Sequence, residues 1–144
     1  MIERFKQEWF AKISESERLS AYFSFKTVHQ LEIYHNDITV KTFRDTLIRL
    51  RIGINDLGVN KRFLCDSFAN KNCPFCPDML EDESHFLFCC PACDDARRKY
   101  LSHIIVPDTV RSFNSVFDNA STEQLRKLAM FAFYALKHRE ELLA

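Results

Sequence analysis

Residues 72–93 read Asn72-Cys73-Pro74-Phe75-Cys76-Pro77-Asp78-Met79-Leu80-Glu81-Asp82-Glu83-Ser84-His85-Phe86-Leu87-Phe88-Cys89-Cys90-Pro91-Ala92-Cys93, and five of the six cysteines fall within them. Cys73 and Cys76 form a C-x-x-C pair, a spacing that lets a tight turn aim two thiolates at one metal ion. His85 offers a third ligand. For the fourth, the spacing leaves two thiols open: Cys89, on one face with His85 if 81–89 is helical, and Cys90, at the end of that helix before Pro91. A closed Cys3His set without a carboxylate is typical of a structural tetrahedral zinc site, so the expected cofactor is one Zn2+. A disulfide framework is the weaker reading because Met1-Ile2-Glu3-Arg4-Phe5 lacks a secretory layout, and a redox C-x-x-C is disfavoured by Pro77-Asp78 directly after Cys76. Cys65 and Cys93 are expected as a core and a surface thiol.

Outward from this segment the chain reads as mainly α. It has two glycines, four prolines and 14 phenylalanines among 144 residues, with several stretches of helical period. Ile2, Phe5, Trp9 or Phe10, and Ile13 share one side of a first helix, and Ser14-Glu15-Ser16-Glu17 has the pattern of a capping box for a second. Residues 25–38 suit either a helix or a turn. Val40, Phe43, Leu47, Leu50 and Ile54 form a helical stripe whose end Gly53 and Gly58 mark. Residues 59–72 read as a loop. Pro91 opens a helix expected to run to about Ile105, where Pro107 stops it, and a short helix is expected about 110–117. Ser121-Thr122-Glu123-Gln124 is a second capping-box pattern, opening a helix over 122–142 with Leu125, Leu128, Ala129, Ala132, Phe133 and Leu136 inward. At this length one domain is expected, with N-terminal helices in 1–72, the zinc-binding segment in 73–93 and C-terminal helices in 94–144.

The motifs C-P-F-C (73–76), E-D-E-S-H-F-L-F-C-C-P (81–91) and D-D-A-R-R-K-Y-L (94–101) together resemble the zinc-binding C-terminal region of LINE-type (non-LTR) retrotransposon reverse transcriptases. The likeness extends upstream to Phe43–Gly53, similar to the arginine-containing helix before the finger, and downstream to Leu128–Arg139, similar to the closing helix. It covers residues 40–140 well and the first forty loosely. The resemblance implies Cys73, Cys76, His85 and Cys90 as the ligand set, favouring Cys90 over Cys89, and nucleic acid as a partner. Catalysis is not implied. A polymerase centre needs a Tyr-x-Asp-Asp carboxylate pair, and Tyr34-His35-Asn36-Asp37 lacks one carboxylate. None of the nine lysines has an acid two residues before it, as the Pro-Asp…Asp/Glu-x-Lys nucleases require. Two glycines permit neither a dinucleotide loop, nor a P-loop, nor a G-x-S-x-G elbow, so no nucleotide cofactor is expected.

Charge suggests where a polyanion would be held. The whole chain is neutral, but residues 1–72 carry +3, 73–93 carry −4 and 94–144 carry +1. Asp78, Glu81, Asp82 and Glu83 should therefore repel phosphate. A nucleic-acid backbone is expected instead on Lys41, Arg44, Arg49, Arg51, Lys61 and Arg62, with Lys41, Arg44 and Arg51 sharing one exposed side of the 40–52 helix; Arg97-Arg98-Lys99 is a smaller cluster. The competing class is a host-used retroelement remnant acting as a protein-interaction or structural module, binding protein through exposed aromatics. The longest apolar run, Ala129 to Leu136, is too short to span a bilayer, and an intracellular location in nucleus, cytoplasm or both is expected.

Overall fold

Ser121 fixes the start of the longest helix. Its hydroxyl accepts from the Gln124 backbone N–H at 3.2 Å, while the Gln124 side chain accepts from the Ser121 N–H at 2.8 Å, so the expected capping box forms and opens α7 (Thr122–Leu143). The computed structural model describes residues 1–23, 26, 29–32, 34–64, 70–102, 113–118 and 120–144, without the side chains of 18, 20, 21 and 62–64. The architecture is mainly α. Its elements are α1 (Ile2–Glu15), a 3-10 turn (Glu17–Leu19), α2 (Ser20–Phe23), α3 (Tyr34–Asp37), α4 (Lys41–Arg51) and α5 (Gly58–Leu64). A two-stranded antiparallel ladder of β1 (Asn72–Cys73) and β2 (Cys76–Leu80) follows, then a π-turn (His85–Cys89), a 3-10 turn (Pro91–Cys93), α6 (Asp94–Leu101), a 3-10 turn (Phe113–Phe117) and α7.

Helix α4 lies against α7, with Leu47 and Leu50 fully buried and the Phe43 ring edge-on to Phe133 at 5.2 Å. It ends at Gly53, whose φ of 73° only glycine adopts without strain. There Gly53 N–H donates to Leu50 O and Ile54 N–H to Arg49 O, the paired bonds of a Schellman cap. Helix α6 also packs against α7, with Tyr100 stacked on Tyr134 at 5.5 Å, and Phe86, Leu87, Leu101, Leu128 and Phe131 belong to the core shared with the finger segment.

Several boundaries differ from those expected. Helix α1 runs through Ser14, whose hydroxyl turns back to Ala11 O at 3.0 Å, so the Ser14–Glu17 box does not form. Ile13 is its buried residue, whereas Ile2, Phe5 and Phe10 stay exposed. Val40, expected inward, is the exposed residue before α4. The helix opened by Pro91 is described as far as Leu101, and Ile105, Pro107 and Val110 lie outside the described residues, as does Cys65.

The stretch expected as a loop contains α5. No Ser, Thr or Asp precedes Gly58 directly, so a local start signal is weak; the turn leading into the helix is held by Asn55, and the first helical amide is met from afar. Asn55 Oδ1 accepts from Leu57 N–H at 3.0 Å, and Glu81 Oε2 accepts from Gly58 N–H at 2.7 Å. Gly58 therefore opens α5, where sequence had it closing the helix before. Its lack of a side chain is what allows the approach: a Cβ there would lie 2.6 Å from Lys71 O.

Gly58→Ala is expected to lower the free energy of unfolding by about 1–3 kcal/mol, because the clash is with backbone. Glu81→Gln, which strands the buried Arg139 guanidinium, is expected to cost about 3–5 kcal/mol. Urea unfolding followed by far-UV circular dichroism measures both.

Candidate metal centre

The β1–β2 ladder pairs Cys73 with Cys76, so the Pro74-Phe75 turn between them presents both thiols at one end of the hairpin. The third and fourth candidate ligands come from the turn that follows. Asp82 Oδ1 accepts from His85 N–H at 2.7 Å and so starts that turn. Cys90 N–H closes it on His85 O at 2.8 Å, a bond spanning five residues where an α-helix spans four. Pro91 disfavours helical geometry in the residue before it, and Cys90 is accordingly extended, with φ −64° and ψ 119°. The added residue and the extended exit bring Cys90, rather than Cys89, beside His85.

One ligand atom from each of Cys73, Cys76, His85 and Cys90 lies within 4.8 Å of the others. Cys73 Sγ and Cys90 Sγ are 3.8 Å apart. Two thiolates at about 2.3 Å from a tetrahedral zinc are themselves about 3.8 Å apart, so the spacing fits such an ion. Cys73, His85 and Cys90 are buried and Cys76 half-buried. Both His85 ring nitrogens are buried without a hydrogen-bond partner. A buried imidazole left so is costly, and a metal ion would take up one nitrogen. The donor set is thiol and imidazole, without a carboxylate, so the cluster could hold a metal and fits a closed structural site.

The supports of this turn were not singled out from sequence. Arg97 donates from Nε to Leu87 O at 2.8 Å and from Nη2 to Cys90 O at 3.0 Å, satisfying carbonyls at the end of the ligand-bearing turn. On the other side Glu81 is gripped through both carboxylate oxygens by Arg139 of α7, at 2.6 and 2.8 Å. The available signal was Arg139 itself, in register with Leu128, Ala132 and Ala135 on the buried stripe of α7, where a guanidinium requires a carboxylate.

The remaining cysteines separate cleanly. Cys89 is exposed. Cys93, expected at the surface, is buried beside Cys90, and its thiol pKa is pushed up to about 11 by burial, against the lowering influence of Arg97. Burial also raises the Cys76 and Cys90 thiols above their ordinary values.

Of the finger's four acidic residues Asp78 is exposed, but the other three are bonded internally. Glu81 is buried in its ion pair, Asp82 caps the turn, and Glu83 accepts from Asn55 and Asn60 at 3.1 and 2.6 Å. The proposed phosphate contacts are likewise dispersed. Arg51 is 8% exposed: it donates to Glu32 and to the Tyr34 hydroxyl, both at 3.3 Å, and lies 4.0 Å from the Phe117 ring centroid. It therefore cannot share an exposed side with Lys41, and Arg44 is half-buried, its guanidinium directed at His35 O and Ile38 O, each at 3.4 Å. Lys41 and Arg49 are exposed, Lys41 paired with Asp45 at 2.7 Å. Lys61 is half-buried and the Arg62 side chain is outside the described residues. Of the smaller cluster, Arg97 is committed to the ligand turn, while Arg98 pairs with Asp95 and Lys99 sits over Tyr100 at 5.2 Å.

Compared with family models, curated proteins and solved structures, the chain matches none. Among the described residues no helix is long and apolar enough to cross a membrane.

Cys90→Ser is expected to abolish stoichiometric metal uptake while Cys89→Ser leaves it intact, read by elemental analysis of protein prepared without chelator. Metal binding should also weaken on acidification. The metal-free fold holds the Cys76 and Cys90 protons tightly, and the metal must displace them, so affinity rises with pH by about tenfold per displaced proton per unit and falls in the same way as pH drops. Competition with a metal-chelating dye across pH 6 to 8 reads this slope (roughly the neutral range in which thiols must lose protons to bind metal).

Proposed function

We propose that this chain is a non-catalytic recognition module in which one zinc ion, held by Cys73, Cys76, His85 and Cys90, staples the β1–β2 hairpin to the helices, and which binds the backbone of RNA or DNA. The observation that carries the reading is the closed Cys3His cluster, with its 3.8 Å sulfur spacing and its unpartnered imidazole. Four protein ligands leave zinc no open position for an activated water, so the ion would cross-link rather than catalyse. The resemblance of 73–76, 81–91 and 94–101 to the C-terminal region of LINE-type reverse transcriptases supports both the ligand set and the nucleic-acid partner. An intracellular setting, in nucleus or cytoplasm, belongs to the same proposal.

Placement of charge favours one surface. With Glu81, Asp82 and Glu83 bonded internally, the finger presents less negative charge than its composition implies. Among the described side chains, Lys41 and Arg49, about two helical turns apart on α4, are the exposed cations of the expected set. Contacts so few confer modest affinity and no choice of sequence. The second reading is a protein-interaction module, favoured by Ile2, Phe5 and Phe10 standing exposed along α1.

Fluorescence anisotropy of labelled RNA and DNA oligonucleotides across a salt series discriminates the two. Binding should fall with salt along a log–log slope of about −2, and Lys41→Glu with Arg49→Glu should remove most of it and bring that slope near zero. Absence of binding at low salt, or a slope near zero, would transfer the assignment to a protein partner.

A further inference from the structure

The C-x-x-C spacing occurs twice in the finger segment. Cys90-Pro91-Ala92-Cys93 repeats it, and this second pair opens a helix: Cys90 stands before the 3-10 turn of Pro91–Cys93, which runs directly into α6. That is the placement of a redox pair, which Cys73 and Cys76 in their hairpin lack. Cys93 N–H donates to Cys90 O at 3.1 Å. A turn closed in this way holds its end Cα atoms within about 7 Å, the limit beyond which a disulfide cannot form. Both residues are buried, and both border one void of about 10 Å3 together with Phe75, His85 and Phe86. Cys90 belongs to the converging ligand set and Cys93 does not. Cys73 Sγ is also near, at 3.8 Å from Cys90 Sγ, but the same ion would hold it. Among the described residues, Cys93 is thus the buried free thiol beside the set.

We propose that Cys90 and Cys93 form a reversible disulfide under peroxide, and that this bond and the metal ion exclude each other because Cys90 serves both. The Cys90 thiolate attacks one peroxide oxygen, the O–O bond breaks and hydroxide leaves. The sulfenic sulfur is then attacked by the Cys93 thiol, and its hydroxyl departs with the thiol proton as water. Two sulfurs are oxidised to one disulfide, and one peroxide is reduced to one hydroxide and one water. Peroxide is small enough to enter at the solvent side of the turn, where Cys89 and Pro91 are exposed. With Cys90 withdrawn, Cys73, Cys76 and His85 remain, an incomplete set for a structural zinc. The assignment rests on the Cys3His metal reading and is indifferent to the nucleic-acid partner.

Hydrogen peroxide added to the zinc-loaded full chain provides the test, with released zinc followed by a chromogenic chelator and disulfides mapped by mass spectrometry after the free thiols are alkylated. One disulfide, Cys90–Cys93, should form for each zinc released, and a dithiol reductant should restore zinc binding. Cys93→Ala should still take up one zinc and release it about tenfold more slowly, since the tethered resolving thiol is gone. Cys89→Ala should change neither rate nor pairing. Circular dichroism reports whether each variant folds; if Cys93→Ala does not, the mapping of the parent chain decides. A disulfide mapped instead to Cys73–Cys76 or Cys73–Cys90, no disulfide at all, or a Cys93→Ala variant that loses zinc at the parent rate would overturn the assignment. A chain that takes up no zinc fails the metal reading instead, and mapping of that metal-free chain still decides whether Cys90 and Cys93 pair.

Discussion

The Glu81 carboxylate is the junction on which the arrangement of finger and helices depends. One side chain accepts two bonds from Arg139 on α7 and one from the first amide of α5, while its backbone donates to Lys71 O and accepts from Val59 N–H. Three segments distant in sequence are thereby fixed to one residue. A buried ion pair of this kind contributes less net stability than its Coulomb attraction suggests, since both groups lose their water. What it supplies is exclusivity: any other docking of the hairpin leaves a charged guanidinium in the core without its carboxylate. The close approach of Lys71 to Gly58 follows from the same constraint, because the chain carrying Lys71 must pass over the start of α5 to reach Glu81's partner strand.

The cysteine cluster is built between this junction and a second one. Arg97 holds the far end of the turn by its carbonyls, and Asp82 holds the near end by an amide. Between those two points the backbone has one residue more than an α-turn would use, and Pro91 prevents the helix from absorbing it. Cys90 is displaced toward Cys73 as a consequence. The ligand geometry is thus largely set by hydrogen bonds that contain no sulfur, which gives a metal ion a partly organised site to close.

Spacing made most of this cluster legible for a physical reason: Cys73, Cys76 and His85 are close along the chain, and turn geometry converts short spacing directly into proximity; between Cys89 and Cys90 spacing left the choice open, and the family resemblance favoured Cys90. Helices with a full start signal were equally plain, as Ser121 and Gln124 show for α7 and Gly53 for the end of α4. The failures concern partners supplied from afar. Helix α5 was missed because its first amide is capped by Glu81 rather than by a neighbouring hydroxyl, and helical period alone put Arg51 on the exposed side of α4 because nothing in residues 40–52 announces Glu32, Tyr34 or Phe117. Cys93 was placed at the surface by the same neglect of tertiary burial. In each case the deciding contact spans 17 or more residues, or rests on packing that no local pattern encodes.

Charge carries this lesson furthest. The finger's −4 and the basic residues between Lys41 and Arg62 looked like separate fields, one repelling and one attracting phosphate. In the folded chain Glu81 neutralises Arg139, Glu83 bonds to Asn55 and Asn60, Arg51 turns inward to Glu32, and Arg44 turns to backbone carbonyls. Both totals shrink at the surface, since a charge held in a buried or half-buried pair casts little field into solvent. What remains exposed on α4 is Lys41, itself beside Asp45, and Arg49. So few exposed cations release few counterions, which makes phosphate attraction weak and only shallowly dependent on salt, and any firm discrimination between partners must come from shape and apolar contact rather than from electrostatic steering.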